Sequence, residues 1–149
     1  MCKKCCNFAR YLYKLFNNMK KLTLLLLSVF ALTAVAQVTT IPAIIQQGYT
    51  GEVTIVYNPN EGNQGMVGAT ECYAHTGVTY DGTSWRNAPT WRGGEDKYRM
   101  TLNTEGNWEL KITPSIHEYY GVDASKNITQ LCFVFNDGPD GSKEGKTSE

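Results

Sequence analysis

The clearest regularity along the chain is a period-two alternation of apolar and polar residues in short stretches bounded by turn residues. Such alternation predicts β-strands with one buried face. In residues 107–113, for example, Trp108, Leu110 and Ile112 share one face, which we expect to lie in the core. The stretches of this kind are residues 52–57, 71–76, 98–103 and 107–113.

Three further segments depart from simple alternation. Residues 131–136 are apolar on both faces, which is typical of a central strand. Residues 38–45 predict an edge strand interrupted by Pro42. Residues 115–120 predict a short helical turn instead, with Ser115 as N-cap and Gly121 after its end.

Short strands separated by Gly, Asn and Asp, with no long helical period, predict an all-β fold. We expect an immunoglobulin-like antiparallel β-sandwich over residues 37–149. The tail, residues 142–149, is polar and predicts no strand, so this sandwich would lack its last strand and leave residues 131–136 with an unpaired edge. We therefore interpret the domain as C-terminally truncated, a fragment of a longer protein.

The N-terminal region reads as an export signal. Lys20 and Lys21 precede an apolar run that ends in Ala34-Val35-Ala36, the small-residue pattern of a cleavage site. The run has about 15 residues, short of the roughly 20 that span a bilayer. We expect residues 19–36 to form a helical signal peptide, and residues 1–18 to be a start-site artefact or an extended positive region. The product would be secreted to the periplasm, cell surface or exterior, with no stable membrane span.

Charge and cysteine content change once residues 1–36 are set aside. Residues 37–149 carry eight Lys and Arg against fourteen Asp and Glu, a formal charge of −6. An acidic chain without a basic patch argues against nucleic acid as a partner. Two of the five cysteines remain, Cys72 and Cys132. They could form a disulfide outside the cytoplasm or be small buried residues.

No catalytic constellation stands out. His75 and His117 are the only histidines, and no nucleophile-elbow, Walker or zinc-protease motif is present. Acidic residues such as Asp81 and Glu95 lie in polar loops, where solvated surface is the ordinary interpretation. We expect no enzymatic activity of this chain by itself, no cofactor and no metal.

Aromatic residues concentrate in one region of the chain. The stretch of residues 81–94 is otherwise polar and glycine-rich, without strand periodicity. Exposed rings beside hydrogen-bonding groups suit sugars, because the apolar face of a pyranose stacks on the ring while its hydroxyls bond to polar neighbours. Alternatively, the tryptophans fold back over the core. The aromatic residues within this region are Tyr73, His75, Tyr80, Trp85 and Trp91.

Several short motifs, in order along residues 52–138, give the chain a family resemblance. They include Tyr73-Ala74-His75-Thr76-Gly77, the pair Ser84-Trp85, the strand containing Trp108, and Phe135-Asn136-Asp137-Gly138. In this order they resemble the starch-binding carbohydrate-binding modules of families 25 and 26. Such modules occur at the N-terminus of secreted bacterial amylases and surface polysaccharide-degrading enzymes.

The resemblance implies a β-sandwich that binds starch or a related α-glucan without cleaving it. His75 and Trp85 would line the sugar platform, with a contribution from Tyr73, and Trp91 is a further candidate from the aromatic region alone. Family members often carry another tryptophan after Asn-Asp-Gly, and residues 139–149 contain no aromatic residue. The alternatives are therefore an immunoglobulin-like spacer or interaction domain of a cell-surface protein, or the N-terminal fragment of an α-amylase-type glycoside hydrolase with a downstream catalytic domain.

Overall fold

A computed structural model gives the fold of residues 36–146. The predicted signal peptide, residues 19–36, lies outside the described residues except for Ala36, and the upstream residues 1–18 lie outside them as well. The strands of the described part are β1 (Val38–Ile41), β2 (Val53–Tyr57), β3 (Tyr73–Tyr80), β4 (Thr83–Arg86), β5 (Thr101–Leu102), β6 (Trp108–Ile112), β7 (Gln130–Asn136) and β8 (Glu144–Gly145). A 3-10 helix covers Asp96–Tyr98, and one short α-helix, α1, covers Ile116–Tyr120.

The strands form two antiparallel sheets of four strands each. The first sheet has the order β1-β2-β6-β5, and the second has the order β4-β3-β7-β8. The all-β prediction is confirmed, and β1 is an edge strand that ends before Pro42, as expected. No helix within residues 36–146 is long and apolar enough to cross a membrane.

The inner face of the first sheet comes from two paired strands. β2 and β6 pair so that Ile55 lies opposite Leu110 and Tyr57 lies opposite Trp108. Residues directly opposite each other in an antiparallel pair share one face, and all four side chains are buried. The predicted inward face of residues 107–113 is therefore confirmed.

The second sheet closes the same core from the other side. Ala74 and Val78 of β3 and Phe135 of β7 belong to the buried cluster that contains the β2 and β6 side chains. The ring of Tyr57 stacks on that of Phe135 with centroids 3.8 Å apart. Because these two rings come from different sheets, the sheets pack over one core in a β-sandwich-like arrangement.

The segment predicted as a strand over residues 98–103 is mostly not one. Tyr98 ends the 3-10 helix, and only Thr101–Leu102 forms β5. Arg99 bridges to Tyr73 of the second sheet, whereas Thr101 pairs with Glu109 of the first. The chain passes from one sheet to the other here, so it cannot continue in either ladder, and Leu102 is left 54% exposed instead of joining the core face.

The polar tail also differs from expectation. Glu144–Gly145 forms a two-residue strand, β8, that pairs with Phe135 and Asn136. The prediction that no strand would follow residues 131–136 was therefore wrong. Hydrogen bonds to the backbone hold this tail in place: Asn63 donates its Nδ2 to the Glu144 carbonyl at 2.9 Å. Turn and loop contacts of this kind leave no hydrophobic pattern in the sequence.

Two local predictions have clear outcomes. The cap of α1 is confirmed, because the Ser115 hydroxyl accepts a hydrogen bond from the Glu118 amide and Gly121 ends the helix in the left-handed conformation. Cys72 and Cys132 are both buried and free. Cys72 lies in the core beside Met100, whereas Cys132 pairs across the ladder with Gly77. The second of the two interpretations, small buried residues, therefore holds.

Candidate functional site

The candidate site lies on the outer face of the second sheet. Along β3, Ala74 and Thr76 point into the protein and are buried. Strand alternation therefore places Tyr73, His75 and Gly77 on the opposite, outer face. The Tyr, His and Gly of the Tyr-x-His-x-Gly motif therefore lie on one face of β3. Each of the three contacts a different part of the surrounding loops.

A tight hairpin brings the first tryptophan back towards β3. Asp81 and Gly82 both have positive φ, 48° and 71°, and they link β3 directly to β4. Positive φ at both central positions is the type I′ turn, for which Asp-Gly is a favoured sequence. The interpretation of residues 81–94 as a region without a strand was wrong for Thr83–Arg86, and this dipeptide was the signal that could have found the strand.

Gly77 allows β4 to come close to β3. A Cβ at this position would lie 2.9 Å from the Arg86 carbonyl oxygen and 3.1 Å from the Ala88 Cβ. Only glycine leaves room for that backbone. Trp85, just before the contact, adopts a positive φ of 62°, which is uncommon for a bulky residue. The close approach and the unusual backbone together carry the Trp85 side chain to His75.

His75, Trp85 and Trp91 form an aromatic cluster. The His75 and Trp85 rings lie 5.4 Å apart between centroids at an angle of 26°, and the His75 and Trp91 rings lie 4.9 Å apart at 81°. The two indole planes are therefore inclined to each other by at least about 55°. Each tryptophan is 42% exposed. The cluster is an angled apolar surface with a histidine between its two arms.

Arg92 fixes the loop that carries Trp91. Its guanidinium donates to Asp137 Oδ1 at 2.9 Å, to the Gly138 carbonyl at 3.1 Å and to the Lys143 carbonyl at 2.8 Å. The Arg92 and Asp137 side chains are only 19% and 16% exposed. Sequence reasoning missed Arg92, since an arginine beside a tryptophan in a glycine-rich stretch gives no pattern that separates an anchor from a solvated residue.

The carboxylate of Asp137 is the centre of this anchor. Burial raises its pKa, but hydrogen bonds from Arg92 and from the Lys143 and Ser142 backbone outweigh that effect, so the pKa of Asp137 lies below its ordinary value. The Lys143 amide donates to Oδ1 at 2.9 Å. The Asn-Asp-Gly motif therefore holds the loop of Trp91 against the end of β7.

Electrostatics leave the centre of the cluster neutral. Burial lowers the pKa of His75 below its ordinary value, which favours the uncharged imidazole at neutral pH. Its Nδ1 atom is buried and has no hydrogen-bond partner among the described residues. The Arg92 guanidinium lies 5.6 Å from the Trp91 ring centroid.

Of the four predicted site residues, the structure brings three together. Tyr73 lies on the same face as His75 but is only 9% exposed. Its hydroxyl donates to Glu71 Oε2 at 3.3 Å, and the Arg99 guanidinium lies 5.9 Å from its ring centroid. Tyr73 thus supports the surface beside the cluster and offers little area of its own to a ligand.

Residues 36–146 contain no group of three or more His, Cys, Asp or Glu side chains that could hold a metal ion. Compared with profiles of known protein families and with functionally characterised proteins, the chain matches none.

Proposed function

We propose that the chain is a secreted, non-catalytic carbohydrate-binding module of immunoglobulin-like fold that holds starch or a related α-glucan on the aromatic cluster. The observation that carries the proposal is that Trp85 and Trp91, both 42% exposed, are held against His75 on one sheet face. Large aromatic rings fixed at a surface beside polar groups suit the apolar faces and hydroxyls of sugars.

The strand order supports the immunoglobulin-like part of the proposal. Immunoglobulin-type sandwiches place strands A, B, E and D in one sheet and C, F and G in the other, with C′ added beside C in some types. The observed orders β1-β2-β6-β5 and β4-β3-β7-β8 follow that scheme strand by strand in chain order. An eight-stranded fold of this kind exposes the C′-C-F-G sheet face on which the aromatic cluster lies.

The angle between the indole rings supports an α-glucan over a flat glycan. Crystalline β-linked glucans present flat faces, which suit coplanar rings. An inclination of at least about 55° between Trp85 and Trp91 instead suits successive sugars whose faces turn along a curved chain. His75, between the rings, would supply the polar group that bonds a sugar hydroxyl.

The test is electrophoresis through native gels containing amylose, amylopectin or glycogen, with cellulose pull-down alongside. We expect retardation in the α-glucan gels. Trp85→Ala and Trp91→Ala should each weaken binding by about tenfold or more, as for stacking residues at the centre of a site. Leu102→Ala is the matched control, since Leu102 is 54% exposed on the other sheet and should bind unchanged. Unchanged mobility of the parent protein in all three gels would contradict the proposal.

A second candidate is a spacer or interaction domain of a cell-surface protein, including one that precedes an α-amylase-type catalytic domain. It is favoured by the Asn136-Asp137-Gly138 turn, where the Asp137 carboxylate accepts hydrogen bonds from Arg92 and from the Lys143 amide and so has a structural role. Acrylamide quenching of tryptophan fluorescence with and without maltoheptaose separates the two functions. Protection of two tryptophans by the sugar supports binding, and identical quenching with and without sugar supports the spacer.

A further inference from the structure

A second concave surface lies away from the aromatic cluster, at the end of the sandwich where α1 packs. It is a groove of about 410 Å³ between the segment that precedes β2 and the start of β7. Its volume falls in the range of pockets that hold small organic ligands. Gln130, on its rim, pairs with Thr79 of β3, whereas the ladder partner of His75 is Val134. Gln130 and Val134 are four residues apart along β7, so the groove and the His75 position lie about 13 Å apart along the strand.

Polar uncharged side chains and apolar side chains share the lining of the groove. Four of the lining residues carry carboxamides: Gln46, Gln47, Asn127 and Gln130. The Gln130 Oε1 atom also accepts a hydrogen bond from Thr79 Oγ1 at 3.4 Å. Each carboxamide offers both donors and an acceptor. None of the described residues that line the groove is an Asp, Glu, Lys or Arg. The imidazole in the lining, His117, has its Nε2 atom 2.9 Å from the Lys126 carbonyl. The lining therefore offers an ionic ligand no carboxylate, ammonium or guanidinium, whereas its carboxamides match neutral hydroxyl groups, which also donate and accept.

An aromatic ring completes the groove. Tyr49 lies on its wall and is half-buried, with its hydroxyl donating to the Glu52 carbonyl at 3.3 Å. Isoleucine side chains from both walls, Ile45 and Ile128, supply further apolar surface. A ring with apolar neighbours beside neutral amides can take both the C–H face and the hydroxyl edge of a sugar.

We propose that this groove is a second glycan-binding site, for a neutral oligosaccharide, separate from the aromatic cluster and independent of the function proposed for that cluster. Two weak sites on one domain raise the retention of a long polysaccharide well above that of a short oligosaccharide, because binding at one site raises the effective concentration at the other. The groove would therefore add avidity for polymers; this gain rests on the function proposed for the aromatic cluster, whereas binding at the groove itself does not.

The test uses the ¹⁵N-labelled full chain carrying Trp85→Ala and Trp91→Ala, titrated with maltoheptaose and with cellohexaose. We expect at least one of these probes to shift the amides of Gly48, Asn127 and Gln130 saturably, with a Kd in the millimolar range. Tyr49→Ala in this background should abolish the shifts, and Tyr49→Phe, which keeps the ring, should retain them. If Tyr49→Ala does not fold, the exposed Gln130→Ala serves instead and should weaken binding about fivefold.

The two proposals fail in different ways. If both probes leave the groove amides unmoved, or shift them equally in the parent and in Gln130→Ala, the second site is overturned. The indole N–H signals of Trp85 and Trp91 in the unsubstituted protein report on the first site alone. A shift of these indoles with silent groove amides therefore removes the second site only, and the reverse result removes the first site only.

Discussion

The first sheet and the aromatic cluster are built by different means. β2 and β6 meet through simple alternation, and Ile55, Tyr57, Trp108 and Leu110 are buried because every second residue faces inward. The aromatic cluster depends on exceptions to that rule: a glycine under a crossing backbone, positive-φ residues and an ion pair. Regular strands thus make the core, and local departures from regularity position the candidate ligand surface.

The backbone makes the same contrast. Of the five non-glycine residues with positive φ in the described part of the chain, four lie between positions 81 and 92. Such conformations cost of order 1 kcal/mol each and persist only where surrounding contacts impose them. Their concentration around Trp85 and Trp91 is what a preorganised surface requires. The residues are Asp81, Trp85, Asn87 and Arg92.

The largest effect of a substitution is expected in the core between the two sheets. Phe135→Ala removes the ring that stacks on Tyr57 between the sheets and should cost about 3–5 kcal/mol in the free energy of unfolding. Urea unfolding followed by circular dichroism measures it. Phe135→Leu, which keeps most of the volume, should cost about 1–2 kcal/mol. Equal losses for the two variants would show that the interface between the sheets is not packed as described.

The close approach at Gly77 should be nearly as sensitive. Gly77→Val places side-chain atoms where the Arg86 carbonyl and Ala88 lie, so β4 must move away at a cost of about 1–3 kcal/mol. Because Trp85 moves with β4, its fluorescence should change and retention in amylose gels should fall. Gly77→Ala should give the same changes to a smaller degree. A folded Gly77→Val variant with unaltered fluorescence and retention would show that Gly77 is not needed to position Trp85.

The Arg92 anchor should come next. Arg92→Ala removes the partly buried ion pair with Asp137 and the hydrogen bonds to the Gly138 and Lys143 carbonyls. It should lower the free energy of unfolding by about 1–2 kcal/mol and expose Trp91 more to acrylamide. Arg99→Ala is the matched control, because Arg99 and Glu71 are 54% and 44% exposed and such pairs contribute little. If the two substitutions have equal effects on Trp91 quenching, Arg92 does not hold the loop.

More of the first sheet than of the candidate site could be predicted from the sequence. Alternation was enough to place Trp108, Leu110 and Ile112 in the core, since burial and strand period follow directly from residue type. It could not reveal that residues 98–103 change sheets, because the signal for a crossing lies in partners far along the chain. At the site, His75 and the tryptophans were found by residue type. Arg92 was not, since its role depends on the distant Asp137.

The smallest expected effect is a pH dependence centred on His75. Burial lowers the pKa of this imidazole in the folded protein, whereas in the unfolded chain it titrates near its ordinary value of about 6.5. The unfolded state therefore binds the proton more readily, and the contribution of His75 to stability is present above about pH 6.5 and is lost as the pH falls below it.

Asp137, whose pKa is also lowered, acts in a separate pH window, below the ordinary carboxyl pKa of about 4. Urea unfolding from about pH 5 to pH 7 should then show a slope that His75→Gln reduces and Asp137→Asn leaves in place. An unchanged slope in His75→Gln would mean that the histidine is as freely solvated in the folded protein as in the unfolded chain. His75 would then not be shielded from solvent between Trp85 and Trp91.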